Sequence, residues 1–184
     1  MNIDKNYFGQ TNDELNSNKL SLEYYNYAKK AVIVASNKFH IKLDFSEESI
    51  LKVENILTRL NDLLKRTNPP EDILMNYIRL YAAYVGQIIV SKWGGYWEEE
   101  KDYSLEVGPV LKVREFELNL VSKIYRRVKE GSMDNIWEFY NTLKYQIEHS
   151  NTKESLFERA EMVAQSQING HQKRGWFSKL FGSN

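Results

Sequence analysis

The run Ala82-Ala83-Tyr84-Val85-Gly86-Gln87-Ile88-Ile89-Val90-Ser91-Lys92-Trp93-Gly94-Gly95-Tyr96-Trp97 constrains the fold more than any other stretch of the chain. Ala82 and Gly86 stand four apart and share a helix face. Neither carries a bulky side chain, so a second element can approach that backbone closely. Gly94 or Gly95 supplies the left-handed conformation that ends a helix, and Tyr96-Trp97 opens a strand. A buried helix that stops at a double glycine and runs into a sheet makes the fold mixed. The small residues predict two backbones nestling at the centre, not room for a substrate.

Composition fits that reading. The chain has 184 residues, 42% of them hydrophobic and 27% charged, which suits one core of roughly 150 residues with looser ends. Twelve Tyr, eight Phe and four Trp supply much of the core. Lys plus Arg equals Asp plus Glu at 25 each, and the missing basic excess argues against nucleic acid as partner. The absence of cysteine removes thiolate catalysis, disulfides and cysteine metal sites, and suits a reducing cytoplasm. The N-terminus has no apolar targeting core. The apolar run Ala31-Val32-Ile33-Val34-Ala35 is too short to span a bilayer. A soluble cytoplasmic protein is expected.

Residues 1–18, rich in Asn, Asp and Ser, read as an N-terminal arm. A helix is predicted over 20–38, with Leu20, Tyr24, Tyr27, Ala28, Ala31 and Ala35 on one face and Val32, Ile33 and Val34 widening the stripe. Ser46 is the N-cap of a second helix, with Glu47 and Glu48 in its first turn and Phe45 placed to pack on Ile50. Asn68-Pro69-Pro70 ends it and begins a third, whose core stripe is Ile73, Tyr77, Leu80, Tyr84 and Ile88. The short link makes these two helices antiparallel neighbours. Strands follow over 96–100, 103–107 and 110–116, turning at Lys101-Asp102 and Gly108-Pro109. Helical spacing returns from 117 to a stop at Gly131. Ser132 caps a further helix, and a last one runs over about 151–168. The fold class is therefore α+β: about six helices packed on a small, mainly antiparallel three-stranded sheet. One domain covers 19–169, and a basic-aromatic tail covers 170–184.

Few residues point to chemistry. Glu98, Glu99, Glu100, Asp102 and Glu106 form an acidic hairpin that could bind a metal or move protons, yet a strand sends Glu98 and Glu99 to opposite faces. A metal-dependent hydrolase using Glu98, Glu100 and a distant histidine is the least favoured reading. His40, His149 and His171 form no constellation, and no nucleophile or phosphate-loop motif occurs. No catalytic residue, metal site or cofactor is assigned, and a non-enzymatic role is favoured. Lys123, Arg126 and Arg127, at i, i+3 and i+4, could hold an anion or an acidic partner; pairing with the chain's own acidic hairpin is the plainer account. The tyrosines at helical spacing (Tyr24, Tyr25, Tyr27, Tyr77, Tyr81, Tyr84) read as core. The sharpest functional feature is the tail. Lys173, Arg174 and Lys179 flank Trp176, Phe177, Leu180 and Phe181, one face of a short helix. It can dock on its own domain, on a partner, or weakly and reversibly on a membrane surface.

Leu43-Asp44-Phe45-Ser46 opening a helix, Ala82-Ala83-Tyr84-Val85-Gly86, and Gly94-Gly95-Tyr96-Trp97 together resemble a group of small bacterial α+β domains. In these a glycine-bearing helix leads into a Gly-Gly-x-Trp strand. Phe116 to Gly131, ending in Arg126-Arg127-Val128-Lys129-Glu130-Gly131, fits the later part of that pattern. The resemblance covers about residues 40–145, and its motifs imply a fold rather than an activity. By analogy it implies an immunity-type, toxin-neutralising or regulatory protein. A non-enzymatic protein-binding module is thus the leading expectation, with a peripheral membrane protein using the tail as the alternative.

Overall fold

The computed structural model describes residues 19–99, 108–131 and 134–149. The chain divides into two units, Met1–Phe139 and Tyr140–Asn184. The described elements are α1 (Lys19–Val34) with a π-helical turn (Ala35–Phe39), α2 (Ser49–Thr67), α3 (Glu71–Trp93), β1 (Tyr96–Glu98), β2 (Val110–Val113), β3 (Phe116–Leu118), α4 (Leu120–Glu130) and α5 (Ile136–His149). The architecture is α+β, with five helices and a three-stranded antiparallel sheet in the order β1-β2-β3. The sixth helix expected over 151–168 lies outside the described residues, as do the arm, the tail and the strand expected over 103–107.

α3 is the spine of the first unit. Every residue from Leu80 to Val90 is buried, as expected of a helix that is apolar all round. By length and composition it is the one described helix that could cross a membrane, but most of it is buried within the fold. It packs between α1 and α4 and touches β2. The buried face of α1 and its π turn is Ser21, Tyr24, Ala28, Ala31 and Ala35. These are spaced three or four apart, and the three alanines bring the helices close. The two run antiparallel. Phe39 meets Tyr77 and Tyr81 edge-on, at 6.1 and 6.3 Å between ring centroids, while Ser21 and Tyr24 meet Trp97 just beyond the far end of α3.

Trp97 joins the helices to the sheet. Its backbone N–H donates to Ser21 Oγ at 2.8 Å, and its indole stacks on Tyr24 with centroids 3.9 Å apart. The indole also lies on Gly86: a Cβ there would sit 2.5 Å from Trp97 Cζ2. Gly86 therefore makes room for an aromatic ring, not for a second backbone as expected. The close backbone approach occurs at Gly95, where a Cβ would sit 2.4 Å from the Lys112 carbonyl oxygen. The helix stop is met by Gly94, with φ +78° and its N–H on the Val90 carbonyl at 2.9 Å.

The sheet pairs Trp97 with Leu111 and Leu111 with Leu118, a buried row. Tyr96, Lys112 and Glu117 pair on the wet face. Residues 110–116 are not one strand. β2 and β3 form a hairpin with a two-residue loop, Arg114-Glu115, between Val113 and its partner Phe116. Arg114 has φ +51°, the conformation primed hairpin turns need at their first loop position.

Ser46 acts as the cap expected of it, its Oγ accepting from Ser49 N at 3.2 Å, although the regular helix begins at Ser49. Phe45, with φ +59°, stacks on Tyr84 of α3 at 4.7 Å. Its backbone N–H donates to Tyr84 Oη at 2.7 Å. Ser49 Oγ is already committed as donor to the Ser46 carbonyl at 2.6 Å, so the 2.6 Å contact between Tyr84 and Ser49 runs from the tyrosine to the serine. This directed chain ties the start of α2 to the middle of α3. The backbone of α2 itself packs chiefly on α4. Asn119 caps α4 by accepting from Ser122 N at 3.0 Å, and Gly131 ends it with φ +95°. Asn135 caps α5 by accepting from Glu138 N at 3.0 Å.

Candidate functional site

The basic triad of α4 is held within the chain. Lys123 Nζ bonds Asp134, and Arg126 Nε lies 3.4 Å from the same carboxylate. The Lys123 hydrogen bond above all holds Asp134 below its ordinary pKa. Arg127 is buried, its Nε donating to Glu54 Oε2 at 2.8 Å and its Nη2 to Thr58 Oγ1 at 2.8 Å. Glu54 Oε1 accepts the backbone N–H of Ile136, so one carboxylate joins α2, α4 and the start of α5. A buried pair with its remaining lone pairs satisfied is a structural tie. Among the described residues the partners are thus Asp134 and Glu54, not Glu98 or Glu99 of the acidic hairpin where pairing was expected.

In that hairpin, Glu98 lies on the wet face 3.5 Å from Lys112, which also pairs with Glu117. The hydrogen bonds that Lys112 donates to these carboxylates, the one to Glu117 first, raise the Lys112 pKa. Glu100, Asp102 and Glu106 lie outside the described residues. Among the described residues no group of three His, Asp or Glu side chains could hold a metal ion. His40 caps the π turn in a left-handed conformation, and His149 donates from Nδ1 to the Tyr145 carbonyl at 2.8 Å. Lys173, Arg174, Trp176, Phe177, Lys179, Leu180 and Phe181 lie outside the described residues.

The feature that sequence reasoning missed is a groove between α1 and α3. It holds a cavity of about 310 Å³ walled by Tyr27, Lys30, Val34 and Lys38 on one side and by Ile73, Asn76, Tyr77, Arg79 and Leu80 on the other. The three alanines set the helices close, and the longer side chains beside them overhang the seam. Ile73 and Tyr77, expected in the core, are not there: Ile73 is 46% exposed and Tyr77 is half-buried. Ile33, in the stripe expected to make contacts on two sides, is 60% exposed. Tyr24, Tyr81 and Tyr84 are core residues as expected, whereas Tyr27 and Tyr77 wall the groove.

Lys30, Lys38 and Arg79 are exposed, and among the described residues none lies within ion-pair reach of a carboxylate. Tyr27 Oη donates to Glu23 at 2.9 Å. That bond first, and partial burial second, raise the Tyr27 pKa, while the Arg79 charge opposes them. Tyr27 is therefore a neutral donor at ordinary pH. A sequence signal for this cluster existed. No acidic residue occurs between Glu23 and Asp44, a stretch that carries Lys29, Lys30, Lys38 and Lys42.

No protein-family model, no curated protein and no solved structure matches this chain.

Proposed function

We propose that this protein is a non-enzymatic protein-binding module and that the α1/α3 groove is its binding face. One observation carries the reading. Three cations without carboxylate partners among the described residues stand around a cavity whose wall includes the exposed Ile73. Lys112, Lys123, Arg126 and Arg127, by contrast, are spent on internal pairs. A neutral chain that gathers positive charge, without carboxylate partners among the described residues, beside exposed apolar surface presents a ready contact for a second macromolecule. The bacterial resemblance would make such a module a cytoplasmic immunity or regulatory protein. Photo-crosslinking tests the reading. A benzophenone amino acid at position 73 should yield one protein adduct in the source cells, and Lys30→Glu with Arg79→Glu should remove it. The same probe at Leu51, exposed on α2, should yield none. No adduct at 73, or the same adduct at both positions, would refute the proposal.

A further inference from the structure

We infer that the α1/α3 groove receives an amphipathic helix from an acidic partner. One bulky apolar side chain would enter the cavity, with carboxylates one turn to either side meeting the cations. The inference rests on the protein-binding reading above and adds the chemistry of the partner.

The arrangement of charge carries it. Lys30 and Lys38 lie eight residues apart along α1 and its π turn, ~12 Å by helical rise, and Arg79 comes from the opposite wall. The cations are strung along the groove, which suits a row of carboxylates better than one phosphate. The π turn keeps the row straight. Four residues overshoot an α-helical turn by ~0.4 residue, so positions 30, 34 and 38 of an unbroken α-helix would drift round its surface. The wider i→i+5 turn over Ala35–Phe39 takes up that drift. Phe39 is pinned there, its ring against Tyr77 and Tyr81 and its carbonyl accepting from Arg59 Nη1 at 3.0 Å.

Between the cations the walls are Val34, Ile73, Leu80 and the rings of Tyr27 and Tyr77. The cavity, at about 310 Å³, is large enough to admit a bulky apolar side chain. Glu23 already occupies the Tyr27 hydroxyl, so incoming carboxylates fall to Lys30, Lys38 and Arg79. A helix with an apolar residue flanked by Asp or Glu at i−4 and i+4 presents the complementary row on one face.

Fluorescence anisotropy of a labelled helical peptide, with a central phenylalanine and glutamate four residues to either side, tests the inference against the full-length protein. Binding is expected to weaken with salt. It should weaken by about tenfold or more when both glutamates become lysine or the phenylalanine becomes alanine. Combining Lys30→Glu, Lys38→Glu and Arg79→Glu should abolish binding with the thermal melt unchanged, whereas Lys65→Glu on α2 should leave binding intact. Failure of the acidic peptide to bind, equal binding of the lysine peptide, or binding indifferent to the triple reversal overturns the inference. So does groove-dependent binding of inorganic phosphate or of phosphatidylserine–phosphatidylcholine vesicles when the peptide does not bind. A crosslink at position 73 without peptide binding would leave the protein-binding reading standing and remove the acidic helix.

Discussion

Gly86→Ala should destabilise this protein, and the same substitution should stabilise it once the Trp97 indole is gone. The new methyl carbon would sit 2.5 Å from Trp97 Cζ2 and 3.3 Å from Leu120 Cδ1, so the ring must retreat. It has little freedom to do so, being stacked on Tyr24 at 3.9 Å with its backbone bonded to Ser21. Overpacking of this kind costs about 1–3 kcal/mol. Against it stands the gain of about 0.8–1.0 kcal/mol for alanine over glycine inside a helix. Because the ring is pinned, the upper part of the penalty applies, leaving a net loss of about 1–2 kcal/mol. For a chain of this size that lowers the melting temperature by roughly 2–8 °C. Urea unfolding followed by far-UV circular dichroism, in wild-type and Trp97→Phe backgrounds, measures both signs. In the Trp97→Phe background the benzo ring is absent, only the 3.3 Å contact with the mobile end of Leu120 opposes the new methyl, and the propensity gain of up to about 0.8–1.0 kcal/mol prevails. An unchanged or raised stability for Gly86→Ala in the wild type, or the same sign in both backgrounds, would refute the reasoning.

Arg127→Met should cost about 3–5 kcal/mol by stranding the buried Glu54 carboxylate. Adding Glu54→Leu should recover part of that loss in chemical denaturation. Asp44 accepts from Ser46 Oγ at 2.6 Å and Ser46 N at 3.1 Å. These bonds lower its pKa to about 2. The folded value lies below the unfolded one, so the stabilisation is complete above about pH 4 and drains away as pH falls toward 2. The difference in melting temperature between wild type and Asp44→Asn should therefore shrink across that acid range and be flat from pH 5 to 8.

The helical frame was legible because its punctuation is local. Ser46, Gly94 and Gly131 each act within one turn of their own position, and the core positions of α2 and α4 follow the 3.6 period. The β2–β3 hairpin was hidden because Arg114-Glu115 contains none of the residues that usually mark a tight turn. The surrounding sheet holds Arg114 in a conformation its side chain does not favour. The partners of Lys123, Arg126 and Arg127 were not legible either. Arg127 and Glu54 are 73 residues apart, and nothing local to either selects the other. The groove was missed for a different reason. Periodicity shows how wide the apolar face of a helix is, but not how much of it a neighbour covers. Ile73 and Tyr77 belong by spacing to the stripe of α3, and Ile33 and Val34 to that of α1. The alanines draw α1 in at one edge of that stripe and leave the other edge open. The acid-free interval from Glu23 to Asp44 was the mark of an unusual surface, and a count of charge over the whole chain averages it away.

The wide turn at Ala35–Phe39 also sets the bearing on which the basic end of the first helix leaves the fold. Gain or loss of a single codon there would swing the basic end of the first helix to a new bearing while the alanines behind it kept their seats.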